Sequence, residues 1–520
     1  MQFFGEGRRS LCHILDREDK GMVLAFTDFP RWSPALHAWL GLVGMMLCGC
    51  QTPAAKPALT AARTSTAQRS LLLARQIVAD TAVEVACRPM ECGRNCLTEP
   101  MDHLLAAGEG LLGKRLLLSC QGKPPAPRRD RSLVDEQALE KAVAQAAGVR
   151  SHPVYIDLHP DGAAALEALG RMIGSARRRI DVMMFQWESD ALGAAIADWL
   201  MTQAGPDLPV RVLVDGGGNL IFGGHKDKAA SDVNGVVHAL AQHPHVTVLR
   251  TRNPFARFDH RKLVLVDGDR AWTGGRNFTR RSFFAQRDLS VTLTGPLVQE
   301  LQDEFDTFWS RQGGPSPSSE HAVASAESTD TALRQACYED DPAIGVPARG
   351  RLLGTAPAHR PLAKTLYRAI DQAQHHIYLE NVYFTDSRLL CKLARARRRG
   401  VDVRVVLTIQ SHEKVINAAN RVTANRLWRA GVRVYLYPGM VHTKAAVVDG
   451  CWAYVGTANY DALSLRHNRE LGLALSGEPL VAELEERLFQ VAFQPEWEMR
   501  EPLPATWSDY ACELLASLCL

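Results

Sequence analysis

Two stretches of this sequence carry the same polar residues at the same spacing. His260 to Asp288 reads HRKLVLVDGDRAWTGGRNFTRRSFFAQRD, and His442 to Glu470 reads HTKAAVVDGCWAYVGTANYDALSLRHNRE. Counted from each His, a Lys stands at +2, an Asp at +7, a Gly at +14, an Asn at +17 and an acid at +28. The first set is His260, Lys262, Asp267, Gly274, Asn277 and Asp288; the second is His442, Lys444, Asp449, Gly456, Asn459 and Glu470. A lone His-x-Lys arises by chance, but one ruler used twice is an internal repeat. Each copy offers an imidazole, a cation, an amide and carboxylates. Together they supply what neither has alone: a nucleophilic His, a second His as general acid, and Lys262, Asn277, Lys444 and Asn459 as a nest for a phosphate. Such a pair would transfer a phosphoryl group through a phosphohistidine. Each imidazole needs an acceptor on its other nitrogen, and the repeat offers the acids at +28, Asp288 for His260 and Glu470 for His442.

These groups need strands to hold them. His and Lys two apart on an extended run point the same way, and KLVLVD and KAAVVD are apolar and β-branched enough for buried strands. Asp267-Gly268 and Asp449-Gly450 predict tight hairpins, returning the strands AWTGG and WAYVGT and bringing Asn277 and Asn459 back beside the His-Lys pairs. From about Tyr155 strands and helices alternate: RIDVMMFQW, ALGAAIADWLMTQ, PVRVLVD, VNGVVHALAQ, VTVLR, then the first motif. The order repeats as HIYLENVYF, SRLLCKLARARRRG, VDVRVVLT, a helix over Glu413–Ala430, VRVYLYP and the second motif. The expected fold is α/β: two similar lobes, each a mixed sheet flanked by helices, packed around one shared active site. The lobes are placed at 151–311 and 345–500, joined by a Gly/Pro/Ser/Ala-rich linker at 312–344 and followed by a tail at 501–520.

Both motif copies resemble the His-Lys-Asp motif of the phospholipase D superfamily. The HRK and GGRN of the first copy and the GTANYD and NRE of the second are most similar to bacterial cardiolipin synthases, and Ile377 to Phe384 resembles the strand that opens the family's second half. The resemblance covers Tyr155 to Pro495. It departs after the motif glycine, where the family often has Ser and this chain has Gly275 and Thr457; Gly is usual in the cardiolipin synthase branch. The resemblance implies a phospholipid phosphatidyltransferase or phospholipase D acting on phosphatidylglycerol or a similar lipid, with His260 as nucleophile and His442 as general acid. It also implies a monomeric active unit and neither cofactor nor metal. Two other functions fit the same residues: a phosphodiesterase acting on nucleic acid, and a non-enzymatic envelope lipoprotein that keeps the fold. Against the first, a net charge of +3 gives no electrostatic footprint for nucleic acid. Against the second, binding alone does not require both histidines.

The 520 residues suffice for more than one domain, and 46% hydrophobic content is ordinary for a globular chain. No apolar run reaches the 18 residues of a spanning helix. Residues 1–50 read as a signal peptide, with Met22 as a possible start: the apolar segment Ala38–Leu47 runs into Leu47-Cys48-Gly49-Cys50, which resembles a lipoprotein box with Cys50 as the lipidated residue. Gln51 after it favours a lipid-anchored, periplasm-facing protein of the outer membrane. Residues 51–150 read as a tether and a cysteine-containing region with a helix-like run over Ser70–Val85. There Cys87, Cys92, Cys96 and Cys120 suit two disulfides of unassigned pairing better than a zinc site. Cys337, Cys391 and Cys451 read as buried small hydrophobes. Gly216–Gly218 reads as a mobile loop, Arg177–Arg179 and Arg395–Arg399 as solvated basic turns at helix ends, and His225, His243 and His245 as surface residues. The tail ACELLASLCL is apolar enough to dock on the body or to lie on lipid, and docking is the expected outcome.

Overall fold

The computed structural model describes residues 66–87, 125–127, 134–222, 235–315, 345–355, 359–411 and 414–519. The tether, Cys50, Cys92, Cys96, Cys120, Cys337, His225 and most of the interlobe linker lie outside the described residues, as does the side chain of Cys87.

Among the described residues, sixteen strands carry the architecture. In the first half they are β1 (His152–His159), β2 (Ile180–Met184), β3 (Val210–Asp215), β4 (Val246–Thr251), β5 (Lys262–Val266), β6 (Arg270–Gly274), β7 (Gln286–Arg287) and β8 (Ser290–Thr294). In the second they are β9 (Val346–Thr355), β10 (His376–Asn381), β11 (Asp402–Leu407), β12 (Arg433–Leu436), β13 (Met440–Val441), β14 (Lys444–Val448), β15 (Trp452–Gly456) and β16 (Glu470–Ser476). Fourteen of them form one mixed sheet in the order β12-β11-β10-β14-β15-β16-β9-β1-β8-β6-β5-β2-β3-β4. Each half repeats the other's order outward from β1 and β9. Those two strands pair antiparallel, Ile156 opposite Val346 and His152 opposite Gly350, so the halves share a single sheet.

The sequence accounts for this layering. β2, β5, β10 and β14 are buried along their whole length, as strands covered on both faces must be. Their flanking helices begin where an Asp accepts the third helical N–H: Asp161 before Gly162–Gly174, Asp190 before Ala191–Gln203, Asp386 before Ser387–Arg398. One core lies across the seam, with Leu263, Leu265 and Val291 of the first half packed with Val447, Val455 and Leu471 of the second, under Phe305, Phe308 and Trp309. The helix Glu136–Ala147, N-terminal to the first half in sequence, packs on the second: Leu139 and Val143 join the core of the helix Pro361–Gln372, and Arg351 pairs with Glu140. The helix Thr66–Cys87 covers the first half through Leu73 and Ile77.

Several expectations are corrected. Gly216–Gly218 is no loop: it opens the short helix Gly216–Phe222, buried so closely that a Cβ on Gly218 would lie 2.6 Å from the Phe185 carbonyl oxygen. The strand read over HIYLENVYF ends at Asn381, and Phe384 leaves the sheet to bridge to Tyr460. Arg395–Arg399 is only partly solvated, since Arg397 is buried on the Gly431 carbonyl and Arg399 reaches the carbonyls of Ile370 and Ala373. Cys391 and Cys451 are buried without disulfides, and the tail docks as the helix Trp507–Cys519.

Candidate active site

The site forms where the halves exchange backbone. Asp259 bridges to Arg469, and β13 pairs with β7 so that Val441 lies opposite Arg287. The amide of His260 donates to the Arg469 carbonyl at 2.9 Å, and that of His442 donates to the Arg287 carbonyl at 2.7 Å. Arg469 and Arg287 are the residues just before the two +28 acids. Each His is therefore seated beside the acid of the opposite half.

The side chains follow the backbone. His260 Nδ1 lies 3.0 Å from Glu470 Oε1, and His442 Nδ1 lies 2.6 Å from Asp288 Oδ2. This reverses the expected pairing, in which each acid served the His of its own copy. A +28 acid opens β16 or β8, and the backbone just before that strand is what crosses the seam. With Nδ1 held by a carboxylate, Nε2 is the nitrogen left to face a phosphorus atom.

Lys262 and Lys444 point to the same side as their histidines, and each ammonium donates to the carbonyl of the His two residues before it. Burial lowers Lys262 to about 7, with Glu470 opposing and Lys444 adding to the effect. Burial lowers Lys444 to about 8 against the pull of Asp288 and Glu470. His442 falls to about 4 through burial and the Lys444 charge, and burial lowers His260 too, against Glu470. Burial would raise Asp288 and Glu470, but His442 with Lys444 and Arg276 around the first, and His260 with Lys262 around the second, together hold them below the usual carboxylate range. At neutral pH the site thus holds two neutral imidazoles and two carboxylates, with Lys444 mostly charged and Lys262 partly so, and an arriving anion would favour the ammonium form of both.

Asn277 and Asn459 are buried, and the Oδ1 of each has no hydrogen-bond partner among the described residues. Asn277 donates to Gln186 Oε1 at 3.3 Å, one residue beyond Phe185, whose ring lies edge-on to His260 at 4.7 Å and under Lys262 at 5.0 Å. Asp267 and Asp449, read from the sequence as members of the site, lie at the far ends of β5 and β14. Both occupy left-handed hairpin positions, φ 56° and 57°. Asp267 accepts the amides of Arg177, Arg178 and Arg179, and Asp449 those of Gln374, His375 and His376. They fix turns at the strand ends remote from the two histidines.

Among the described residues no group of three or more His, Cys, Asp or Glu side chains is placed to hold a metal ion. The buried cations beside the two histidines are Lys262 and Lys444.

The sequence profile of the family "Cardiolipin synthase, PLD-like domain" matches residues 169–309 and 366–491, just over half of the chain and one match per half. The chain belongs to this family. Cardiolipin synthase A of Pseudomonas entomophila (strain L48) is 29% identical over 343 residues, covering 63% of this chain and 66% of that protein. Cardiolipin synthase A of Yersinia pseudotuberculosis is 28% identical over 332 residues, covering 61% of this chain and 65% of that protein. These matches span slightly under two thirds of the relatives' own length. A solved phosphatidylserine synthase from Haemophilus influenzae Rd KW20 superposes with a TM-score of 0.54 at 15% identity, covering 74% of this chain and all of that one, and so shares the fold.

Against this PLD-like frame, the residue after each motif glycine gains a role. A Cβ on Gly275 would stand 2.1 Å from Asp288 Oδ1, so glycine makes room for that carboxylate. Thr457, at the same place in the second copy, donates its hydroxyl to Glu470 Oε2. Sequence reasoning marked both positions only as departures. It missed Phe185 and Gln186, which lie outside the repeat, and Arg276. Buried Arg276 holds the His159 and Pro160 carbonyls beside Asp288, and no counterpart in the second copy could flag it, since Ala458 stands there.

Proposed function

We propose that this protein is a phospholipid phosphatidyltransferase of the cardiolipin synthase kind, working through a phosphohistidine. The observation that carries the reading is the crossed arrangement of His260 with Glu470 and His442 with Asp288, flanked by Lys262 and Lys444. Two imidazoles from opposite halves, each held at Nδ1 by a carboxylate, suit the two ends of an in-line displacement at phosphorus.

In the first step His260 Nε2 attacks phosphorus. The P–N bond forms, the P–O bond to the leaving alcohol breaks, and His442, protonated once an anion lies between the halves, gives its Nε2 proton to the departing oxygen. In the second step His442 takes the proton of the incoming alcohol, whose oxygen attacks phosphorus and expels His260. Lys262, Lys444, Asn277 and Asn459 meet the charge on the phosphate oxygens. The assignment of His260 as nucleophile follows the family resemblance. The acceptor is a lipid headgroup hydroxyl, as the cardiolipin synthase relatives suggest.

Incubation of the full chain with labelled phosphatidylglycerol, and separately with DNA, tests the reading. A labelled lipid product with a second phosphatidyl group supports it; cleavage of DNA alone, or no turnover of either substrate, contradicts it. We further propose that Cys50 is acylated and anchors the protein at the periplasmic face of the outer membrane. The Cys50→Ser variant should then leave the membrane fraction and lose acyl labelling, and unchanged labelling would refute the anchor.

A further inference from the structure

The C-terminal helix Trp507–Cys519 is built inside out. Its only charged residues, Asp509 and Glu513, are turned inward and buried, Asp509 near Arg421 at 3.7 Å and Glu513 against Arg426 at 2.5 Å. Its outward face carries Trp507, Tyr510, Ala511 and Leu514, at positions i, i+3, i+4 and i+7. Trp507 is 80% exposed, Tyr510 40% and Leu514 41%. An ordinary surface helix buries its apolar stripe and hydrates its charges. Here internal ion pairs neutralise the charges, and the face left outside is an aromatic and aliphatic one without a formal charge.

The helix also has a telling position. It packs on the helices Lys414–Arg429 and Ala462–Arg466. The second of these follows Asn459 and occupies the same repeat positions as Arg280–Phe284, which follows Asn277 in the first half. Phe284 at the end of that element is itself 43% exposed. An exposed apolar side chain thus stands on the segment that leaves Asn277 in the first half, and in the second half the exposed apolar face lies on the helix packed against the corresponding segment after Asn459.

We propose that the Trp507–Tyr510–Leu514 face is a bilayer-docking surface, which seats the rim of the active site on the phospholipid interface from which substrate is drawn. The inference rests on the lipid reading above for its occupant. Trp and Tyr side chains, apolar in body and polar at one edge, favour the headgroup level of a bilayer. Covering the face with a second copy of the chain fits less well. Three side chains offer on the order of a few hundred Å², against the roughly 800 Å² a side that a stable dimer buries.

The test uses the full chain with Cys50→Ser, so that no acyl anchor contributes, and vesicles of phosphatidylglycerol and phosphatidylethanolamine with brominated acyl chains. The emission of Trp507, obtained as the difference between the parent and a Trp507→Phe variant, should shift to shorter wavelength and be quenched on addition of vesicles. A Trp507→Ser, Tyr510→Ser, Leu514→Ser variant should bind the vesicles about tenfold more weakly. It should turn over a monomeric short-chain phosphatidylglycerol as the parent does, which shows that it is folded. Vesicle binding equal to the parent's, or an unchanged Trp507 signal, overturns the proposal, as does a concentration-dependent dimer that the triple variant abolishes. A vesicle response in a protein that turns over no phospholipid would sink the catalytic reading while leaving the docking surface standing.

Discussion

At the scale of single residues, the crossing of acids and histidines separates two roles that the repeat makes look equivalent. Asp288→Asn should disturb His442 and leave the seat of His260 intact, whereas Glu470→Gln should do the reverse. Losing the carboxylate behind a catalytic imidazole costs about 10²–10⁴ in rate. With a substrate whose leaving group needs no proton, Asp288→Asn should recover most of its first-step rate and Glu470→Gln should not. Equal recovery in both variants would mean that the pairing is not functional. Gly275→Ala tests the same link from the other side, because its Cβ would displace Asp288 Oδ1. Its rate loss should match that of Asp288→Asn. The lysines predict a pH dependence. Burial lowers Lys262 to about 7 and Lys444 to about 8, so both should lose their protons as pH rises through that window. Sulfate, whose own charge is constant there, should bind progressively more weakly from pH 7 to 9, as followed by calorimetry; affinity that is flat or rises with pH would contradict the assignment. The residue types of the site were legible because the repeat prints them twice. Their partnership was not, since spacing along one chain cannot show that a +28 acid serves the other copy.

At the scale of elements, the alternation of strand and helix was readable because buried strands and Asp-capped helices carry strong local patterns. The hairpins at Asp267-Gly268 and Asp449-Gly450 were equally plain. What the sequence could not separate was an acid repeated for chemistry from one repeated because both turns need it. Asp449 accepts three backbone amides at 2.8 Å each, and Asp449→Ala leaves those donors buried without partners. The expected loss is about 1–3 kcal/mol in unfolding free energy, visible in denaturant titration, with kcat of the remaining folded enzyme within a few-fold of the parent. A loss of kcat without a loss of stability would return Asp449 to the site. The triple glycine at 216–218 was misread for a related reason: glycines suggest freedom when seen alone, but here close packing against Phe185 and Phe258 demands them.

At the scale of the whole molecule, two halves read as lobes on a linker are joined more tightly than a linker requires, through β1 and β9 in one continuous sheet. That seam makes the site indivisible, as each half supplies the other's carboxylate and the backbone acceptor for its histidine amide. His260→Ala and His442→Ala should therefore each nearly abolish turnover, and the double variant should be little worse. Roughly half the activity surviving in each single variant would instead indicate two independent sites. On the proposal that Lys262 and Lys444 meet the phosphate charge, turnover should also survive EDTA, and full loss restored by a divalent ion would contradict it. The measurement that reaches the central claim most directly is trapping of the intermediate. The enzyme is denatured in base during turnover of phospholipid labelled with ³²P, and the labelled peptide is mapped. A phosphohistidine at His260, enriched in a His442→Ala variant given a substrate with a good leaving group, is the predicted result. Label at His442 would reverse the two roles, and no label on either histidine would contradict the covalent mechanism itself.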